Sequence, residues 1–212
     1  KRQDQFGFRI EGSPADATDI VTAALEDART YNQHLTILLE DCSEAFDSIG
    51  DASIDICLQA HGFDDRLISW ILRARRDQHR VVAVQGGLSS LDSALEVRGG
   101  VQGLPRTPTD WTIVMQVILK YAQANGGEGY TIDTYLGGEL LRQTVLHDIA
   151  YGDDLVPLDS TPEGVLKTAQ ASAIMMATLN IRSQGAKSKH HPSEQTFLTA
   201  LQDIRSWAAD PH

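Results

Sequence analysis

The sequence predicts an α+β fold with a mostly antiparallel sheet. Three observations lead there. Helical and strand patterns do not alternate one for one; their order is α, β, α, α, β, β, α, β, β-turn-β, α, α. Several strand runs meet across short turn segments, as hairpins do. At 42% hydrophobic residues in 212, the chain has enough apolar side chains for a sizeable core in one domain, with room for a small appendage.

The elements follow in order. Ser13–Tyr31 reads as a helix, with Ser13 as cap, Pro14 in the first turn and Asp16 at capping-box spacing. Its predicted apolar face is Ile20, Val21, Ala24, Leu25 and Ala28. Leu35–Glu40 (LTILLE) reads as a buried strand. Two helical patterns follow, broken at Gly62–Phe63. Arg80–Gln85 and Ser93–Arg98 read as the arms of a hairpin around the Gly/Ser-rich GGLSSLD. Thr107–Gly127 is a strong helix with Thr107 as cap, Pro108 first and Asp110 third. The run YTIDTYL and the strands around YGDD come next, then a helix over Ser160–Asn180. A last amphipathic helix, about Ser193–Ala208, is expected at the periphery.

Composition narrows the function classes. No apolar run approaches the roughly 18–20 residues a membrane span requires, and the first residues do not resemble a signal peptide. Cys42 and Cys57 are too few for a disulfide framework or a zinc site, which points to a reducing, intracellular setting. Because the chain opens at Lys1 rather than at Met, it is expected to be a segment of something longer. A net charge of −11 argues against a nucleic-acid surface over most of the domain. Such a surface must be local. The basic residues do cluster, in Arg73–Arg80 (RARRDQHR) and Lys187–His191 (KSKHH).

The sharpest local signal is Tyr151–Asp154, YGDD, between two apolar runs. Gly152 at the first central position suits a type II′ hairpin turn. Two adjacent carboxylates there could be an ordinary polar turn. Asp41, however, directly follows the apolar run Leu35–Glu40. If that strand lies beside the hairpin, three carboxylates converge, and like charges at that spacing call for a cation. Oxygen donors without His or Cys side chains suit Mg²⁺ or Mn²⁺. Two such ions are a device for displacement at phosphorus. Asp47, Asp148 and Asp159 read as surface or capping residues.

Four segments, Glu40–Ile49 (EDCSEAFDSI), Arg98–Pro108 (RGGVQGLPRTP), Ala150–Leu158 (AYGDDLVPL) and Leu179–Ser188 (LNIRSQGAKS), resemble in order the successive motifs of reverse transcriptases. The likeness is to the non-LTR retrotransposon and group II intron branch. Gln5–Thr18 (QFGFRIEGSPADAT) resembles that family's "GFR…S" segment, which includes Arg9. The resemblance implies a polymerase palm over 35–190 with inserted fingers elements, a fingers-type segment at 1–34, a helical tail at 191–212, and no thumb. It implies an RNA-directed DNA polymerase joining deoxynucleotides to a primer 3′-hydroxyl on an RNA template, the primer being DNA or RNA. Further domains of a longer polyprotein are implied, with no membrane partner.

By position, the resemblance makes Asp41, Asp153 and Asp154 ligands of two Mg²⁺ or Mn²⁺ ions, with the Cys42 carbonyl as a backbone ligand. It makes Phe46 a steric gate against the ribose 2′-hydroxyl, and places Gln102, Gly103 and Arg9 at the nucleotide. Lys187 becomes the group near the leaving pyrophosphate. Taken alone, Phe46 could be core, Gln102 a loop amide, and Lys187 with His190 and His191 a solvated basic face. The sequence departs from the pattern at Gly152, Thr107, Glu44 and Arg106, none of them a catalytic group. Two alternatives stand beside this reading. Viral RNA-dependent RNA polymerases share Gly-Asp-Asp, but carry an Asp where this chain has Phe46. A non-catalytic reverse-transcriptase-like scaffold for RNA or protein would ordinarily lose metal ligands, and all three are present here.

Overall fold

A computed structural model describes residues 6–7, 13–42, 48–76, 83–84, 87–88, 106–181 and 194–209. Its helices are α1 (Pro14–Tyr31), α2 (Asp51–Ala60), α3 (Asp65–Arg76), α4 (Thr107–Asn125), α5 (Pro162–Thr178) and α6 (Glu194–Ala209). Its strands are β1 (Thr36–Ile37), β2 (Glu40–Asp41), β3 (Ala83–Val84), β4 (Gly87–Leu88), β5 (Tyr130–Leu136), β6 (Glu139–Leu146), β7 (Asp148–Tyr151) and β8 (Asp154–Asp159). All the strand pairs are antiparallel, so the class is α+β as expected.

The sheet that positions the candidate site centres on β8. One edge of β8 pairs with β7, and the other pairs first with β2 and then with β1. Alternate residues of β7 and β8 point to opposite faces. Ala150 and Leu155 join a core built by the helices α2 to α6, around Trp111, Met115, Ile118 and Met175. Ile149 and Leu158 join a smaller core with Phe6, Tyr130 and the alanines of α1, Ala17, Ala24 and Ala28. Both faces of the sheet are thus covered. No helix among the described residues is long and apolar enough to cross a membrane.

The expected single strand Leu35–Glu40 is instead two short strands with Leu38 and Leu39 between them. The cause lies in the neighbour. Leu38 N–H donates to Pro157 O at 3.1 Å, but Pro157 has no N–H to return. The ladder breaks there, and Leu39 is left 80% exposed rather than buried.

Other expectations shift for equally local reasons. In α1 the capping box forms as read, Ser13 Oγ accepting from the Asp16 amide and Asp16 from the Ser13 amide. Leu25, placed on its buried face, is half exposed, because that face packs through small alanines. Thr107 is not a cap. It is already the buried first residue of α4, and Arg106 stands at the cap position without a side-chain cap bond. The strand at Ala83–Val84 pairs with Gly87–Leu88, so those residues form a strand and not the predicted turn; Ser93–Arg98 lies outside the described residues. The last helix is not peripheral, since its Ala200 and Ile204 are buried in the larger core.

Two polar clusters lock the helices. Arg75 lies at the junction of α2, α3 and α4. It donates to Asp51 Oδ1 at 3.0 Å, to Asp110 Oδ2, and to the Ile49 carbonyl at 3.2 Å. Arg106 Nε supplies the other Asp110 oxygen at 3.2 Å, so the carboxylate serves this junction and not a capping box. The second cluster surrounds Asp159, which is buried like Asp148 rather than at the surface. Asp159 accepts from the Thr161 amide and the Gly129 amide, both at 2.8 Å. A Cβ on Gly127 or Gly164 would collide with its carboxyl group. Thr161 Oγ1, accepting from the Gly164 amide at 3.0 Å, caps α5.

The arginine junction gives a first prediction. Arg75 and Asp110 side chains are 8% and 7% exposed, whereas Arg76, which donates to Asp51 Oδ2, is 69% exposed. Removing one partner of a buried pair strands a charge, at a cost of about 3 kcal/mol, while an exposed pair contributes under about 1 kcal/mol. Urea unfolding should show Arg75→Met losing most of that larger amount and Arg76→Met almost nothing. Equal losses would contradict the assignment.

Candidate active site

The YGDD segment forms a two-residue turn between β7 and β8, with Tyr151 and Asp154 as directly opposed partners. Gly152 has φ 63°, and Asp153 is not among the residues with positive φ. That combination is the type II′ pattern the sequence suggested. A side chain at position 152 would be strained in this conformation.

Three neighbours hold the turn, and sequence reasoning did not select them. The Trp111 indole N–H donates to the Gly152 carbonyl at 2.5 Å, and the Trp111 side chain is fully buried. The Phe6 amide donates to the Ala150 carbonyl at 2.9 Å. Gly7 then lies so close to Gly152 that a Cβ would strike the Gly152 amide nitrogen. The available signal was position: Trp111 sits in the first turns of α4, immediately after one of the quoted motifs, and Phe6 and Gly7 lie within the quoted Gln5–Thr18 segment.

The register brings Asp41 to this turn. Asp41 is the Cα partner of Asp154, and Glu40 that of Leu155. One residue on, the Cys42 amide donates to the Asp153 carbonyl at 3.1 Å. The backbones of Asp41, Cys42, Asp153 and Asp154 therefore share one end of the sheet. The side chains of Asp153 and Asp154 are half-buried and exposed, respectively; that of Asp41 lies outside the description. Cys42 turns its thiol into the core, where Sγ meets Met176 Sδ at 3.8 Å, so toward the turn it offers main-chain atoms only. Burial also pushes the other thiol, Cys57, up to about 12, so it is inert at neutral pH. Among the described side chains no group of three or more His, Cys, Asp or Glu is close enough to hold a metal. Arg9, Phe46, Gln102, Gly103 and Lys187 all lie outside the described residues.

Glu40 sits beside this acidic end, half-buried, and its burial raises its carboxyl above the usual carboxylate range. Ionisation of this group is thus less favourable in the folded chain than in the unfolded one.

No family model matches the chain. A search of known proteins finds similarity to the retrovirus-related Pol polyprotein from type-1 retrotransposable element R2 of Nasonia vitripennis. The two are 27% identical over 164 residues, covering 76% of this chain. The chain spans 14% of that relative's length.

Two measurements test this description of the site. Trp111→Phe keeps most of the ring but leaves the buried Gly152 carbonyl without its donor, which costs about 1–3 kcal/mol. Chemical denaturation should register a loss in that range. A stability equal to wild type would mean the indole N–H does not hold the turn. For Glu40 the sign follows from its raised folded value. The folded state binds this proton more tightly than the unfolded chain, so the group's effect on stability worsens as pH rises from the ordinary carboxylate value through the folded one. Glu40→Gln should therefore melt higher than wild type at pH 7, with the gap closing near pH 4. A gap that widens on acidification would refute the assignment.

Proposed function

We propose that the chain is part of an RNA-directed DNA polymerase of the retrotransposon type, with Asp41, Asp153 and Asp154 as its acidic centre. The observation that carries this reading is the register that sets Asp41 opposite Asp154, across from a glycine turn bearing Asp153. The likeness to a retrotransposon Pol polyprotein supports it and favours it over a viral-type RNA-dependent RNA polymerase. The presence of all three aspartates favours catalysis over a non-catalytic scaffold.

The donor set suits hard divalent cations. The donors by type are three carboxylates and the Cys42 main-chain oxygen, and the one nearby thiol is committed to the core. Asp41, Asp153, Asp154 and the Cys42 carbonyl would hold two Mg²⁺ or Mn²⁺ ions. The chemistry such ions supply when bound is charge neutralisation and alignment of attacking and leaving oxygens at phosphorus. The chain's own groups do the rest. Trp111 and Gly7 fix the turn so that the two adjacent aspartates need no reorganisation. Lys187 supplies a proton or positive charge to the departing pyrophosphate. Phe46 excludes the ribose 2′-hydroxyl, while Gln102, Gly103 and Arg9 bind the incoming nucleotide. An RNA template, a DNA or RNA primer and further domains of a longer polyprotein complete the reading.

The isolated chain allows a test that does not need polymerisation. An ion bound only by the folded state stabilises it by about 2.7 kcal/mol at a hundredfold excess over its dissociation constant. Millimolar Mn²⁺ at constant ionic strength should raise the melting temperature of wild type, and raise that of Asp153→Asn markedly less. Identical responses would remove the metal site and make the scaffold the better reading. In the longer parent protein, Asp153→Asn should abolish primer extension.

A further inference from the structure

Where the C-terminal end of α1 meets β5, Asp27, Tyr31, Gln33, Asp133 and Tyr135 line a notch of about 70 Å³. Its two carboxylates are held by neutral donors. Tyr130 Oη donates to Asp27 Oδ2 at 2.7 Å, Gln143 Nε2 to Asp133 Oδ1 at 3.0 Å, and Tyr135 Oη to Asp133 Oδ2 at 3.4 Å. Such bonds fix the carboxylates without cancelling their charge. Among the described residues neither aspartate is in an ion pair. Arg29 stands two positions beyond Asp27 on α1 and so faces another side of that helix. Arg142 is opposite Thr134, on the other face of the hairpin from Asp133. Three further features point to a cation. The rings of Tyr31 and Tyr135 border this notch yet are 58% and 53% exposed, and aromatic faces attract cations. The Asp133 carboxylate holds the Tyr135 hydroxyl above its usual value, so at neutral pH it stays a donor and adds no charge of its own. The notch also stands at the last turn of α1, the negative end of the helix dipole. Beside it the surface turns apolar: Leu140 is the direct partner of Tyr135, Leu141 is the extra residue at the register shift, and both are exposed.

We propose that this notch is a docking site for an arginine side chain of a partner protein, with aliphatic neighbours of that arginine lying on Leu140 and Leu141. The choice of occupant rests on charge and shape. A guanidinium is flat enough to stack on a tyrosine ring while its fork of N–H groups meets the two carboxylates. An ammonium can do only the second. A phosphate would face Asp27 and Asp133 with like charge, so the notch selects against nucleic acid. A purely apolar partner would cover both carboxylates without supplying a counter-charge. None of these residues belongs to the acidic centre at Asp41, Asp153 and Asp154, so the proposal stands whether or not that centre binds metal.

The test is isothermal titration calorimetry of the 212-residue chain with the end-capped peptide Gly-Leu-Arg-Leu-Gly, whose single charge is the guanidinium. The dissociation constant should be on the order of 100 μM, as for a small transient contact. Exchanging the arginine for citrulline, its neutral isostere, should weaken binding about tenfold or more, and exchanging it for lysine about threefold. In the protein, Asp133→Asn and Tyr31→Leu should each cost about threefold to fivefold in affinity. Asp133→Lys, which sets the chain's own ammonium in the notch, should abolish binding. Tyr31→Leu should melt near wild type, because that ring is exposed, so its weaker binding reports the contact and not a lesion of the fold. Asp65→Asn removes an exposed carboxylate on α3 and should bind like wild type, which separates the notch from general attraction to a net charge of −11. The proposal is overturned if wild type gives no saturable heat by about 1 mM, the limit of weak association. Equal affinity for the citrulline peptide, or an equal loss in Asp65→Asn and Asp133→Asn, would overturn it too.

Discussion

The organisation of this chain depends on β8 having two occupied edges. A strand paired on both sides cannot slide by one residue without sending each of its side chains to the opposite face of the sheet. Leu155 must therefore face the helical core and Leu158 the smaller core under α1. That requirement fixes β7 on one side and β2 on the other, and with them the opposition of Asp41 and Asp154. The acidic end is thus set by apolar packing further along the same strand. Pro157 completes the arrangement: by withholding one hydrogen bond it lets the chain bend between β1 and β2 while both remain attached.

What could be read in advance was whatever depends on neighbouring residues. The capping box at Ser13 and Asp16 and the glycine turn at Gly152 are both decided within a few positions, and each formed as read. What could not be read depends on distant partners. Thr107 and Asp110 have cap-and-box spacing, but Arg75 and Arg106 compete for the carboxylate, and a buried ion pair outweighs a solvent-side cap. The interruption after Ile37 required knowing that Pro157 lay alongside. The burial of Ala200 and Ile204 in the last helix could not be separated, from one amphipathic pattern, from a peripheral position.

The candidate site divides along the same line. Asp41, Asp153 and Asp154 were legible because like charges at strand ends are conspicuous without tertiary knowledge. The roles of Trp111 and Gly7 were not, since a tryptophan in an apolar helix looks ordinary and the quoted segment around Gly7 does not say what its glycine touches. Only the hydrogen bond to Gly152 and the backbone contact give them a role. The basic cluster shows the opposite error of scale. As a run it suggests one surface, while the helix period sends Arg75 into the interior and leaves Arg73 and Arg76 outside.

Asp159 has a consequence for how this sequence can diverge. Its carboxyl group fills the space that side chains at Gly127 and Gly164 would need, and it satisfies amides at Gly129 and Thr161. The loop before β5 and the start of α5, which it joins, therefore cannot drift separately. A larger residue at 164 becomes acceptable only after Asp159 has shrunk, one at 127 must also clear the Gly164 backbone, and a shrunken Asp159 leaves the Gly129 and Thr161 amides needing new partners. Related chains should keep this group whole or replace it together, with single-step intermediates selected against.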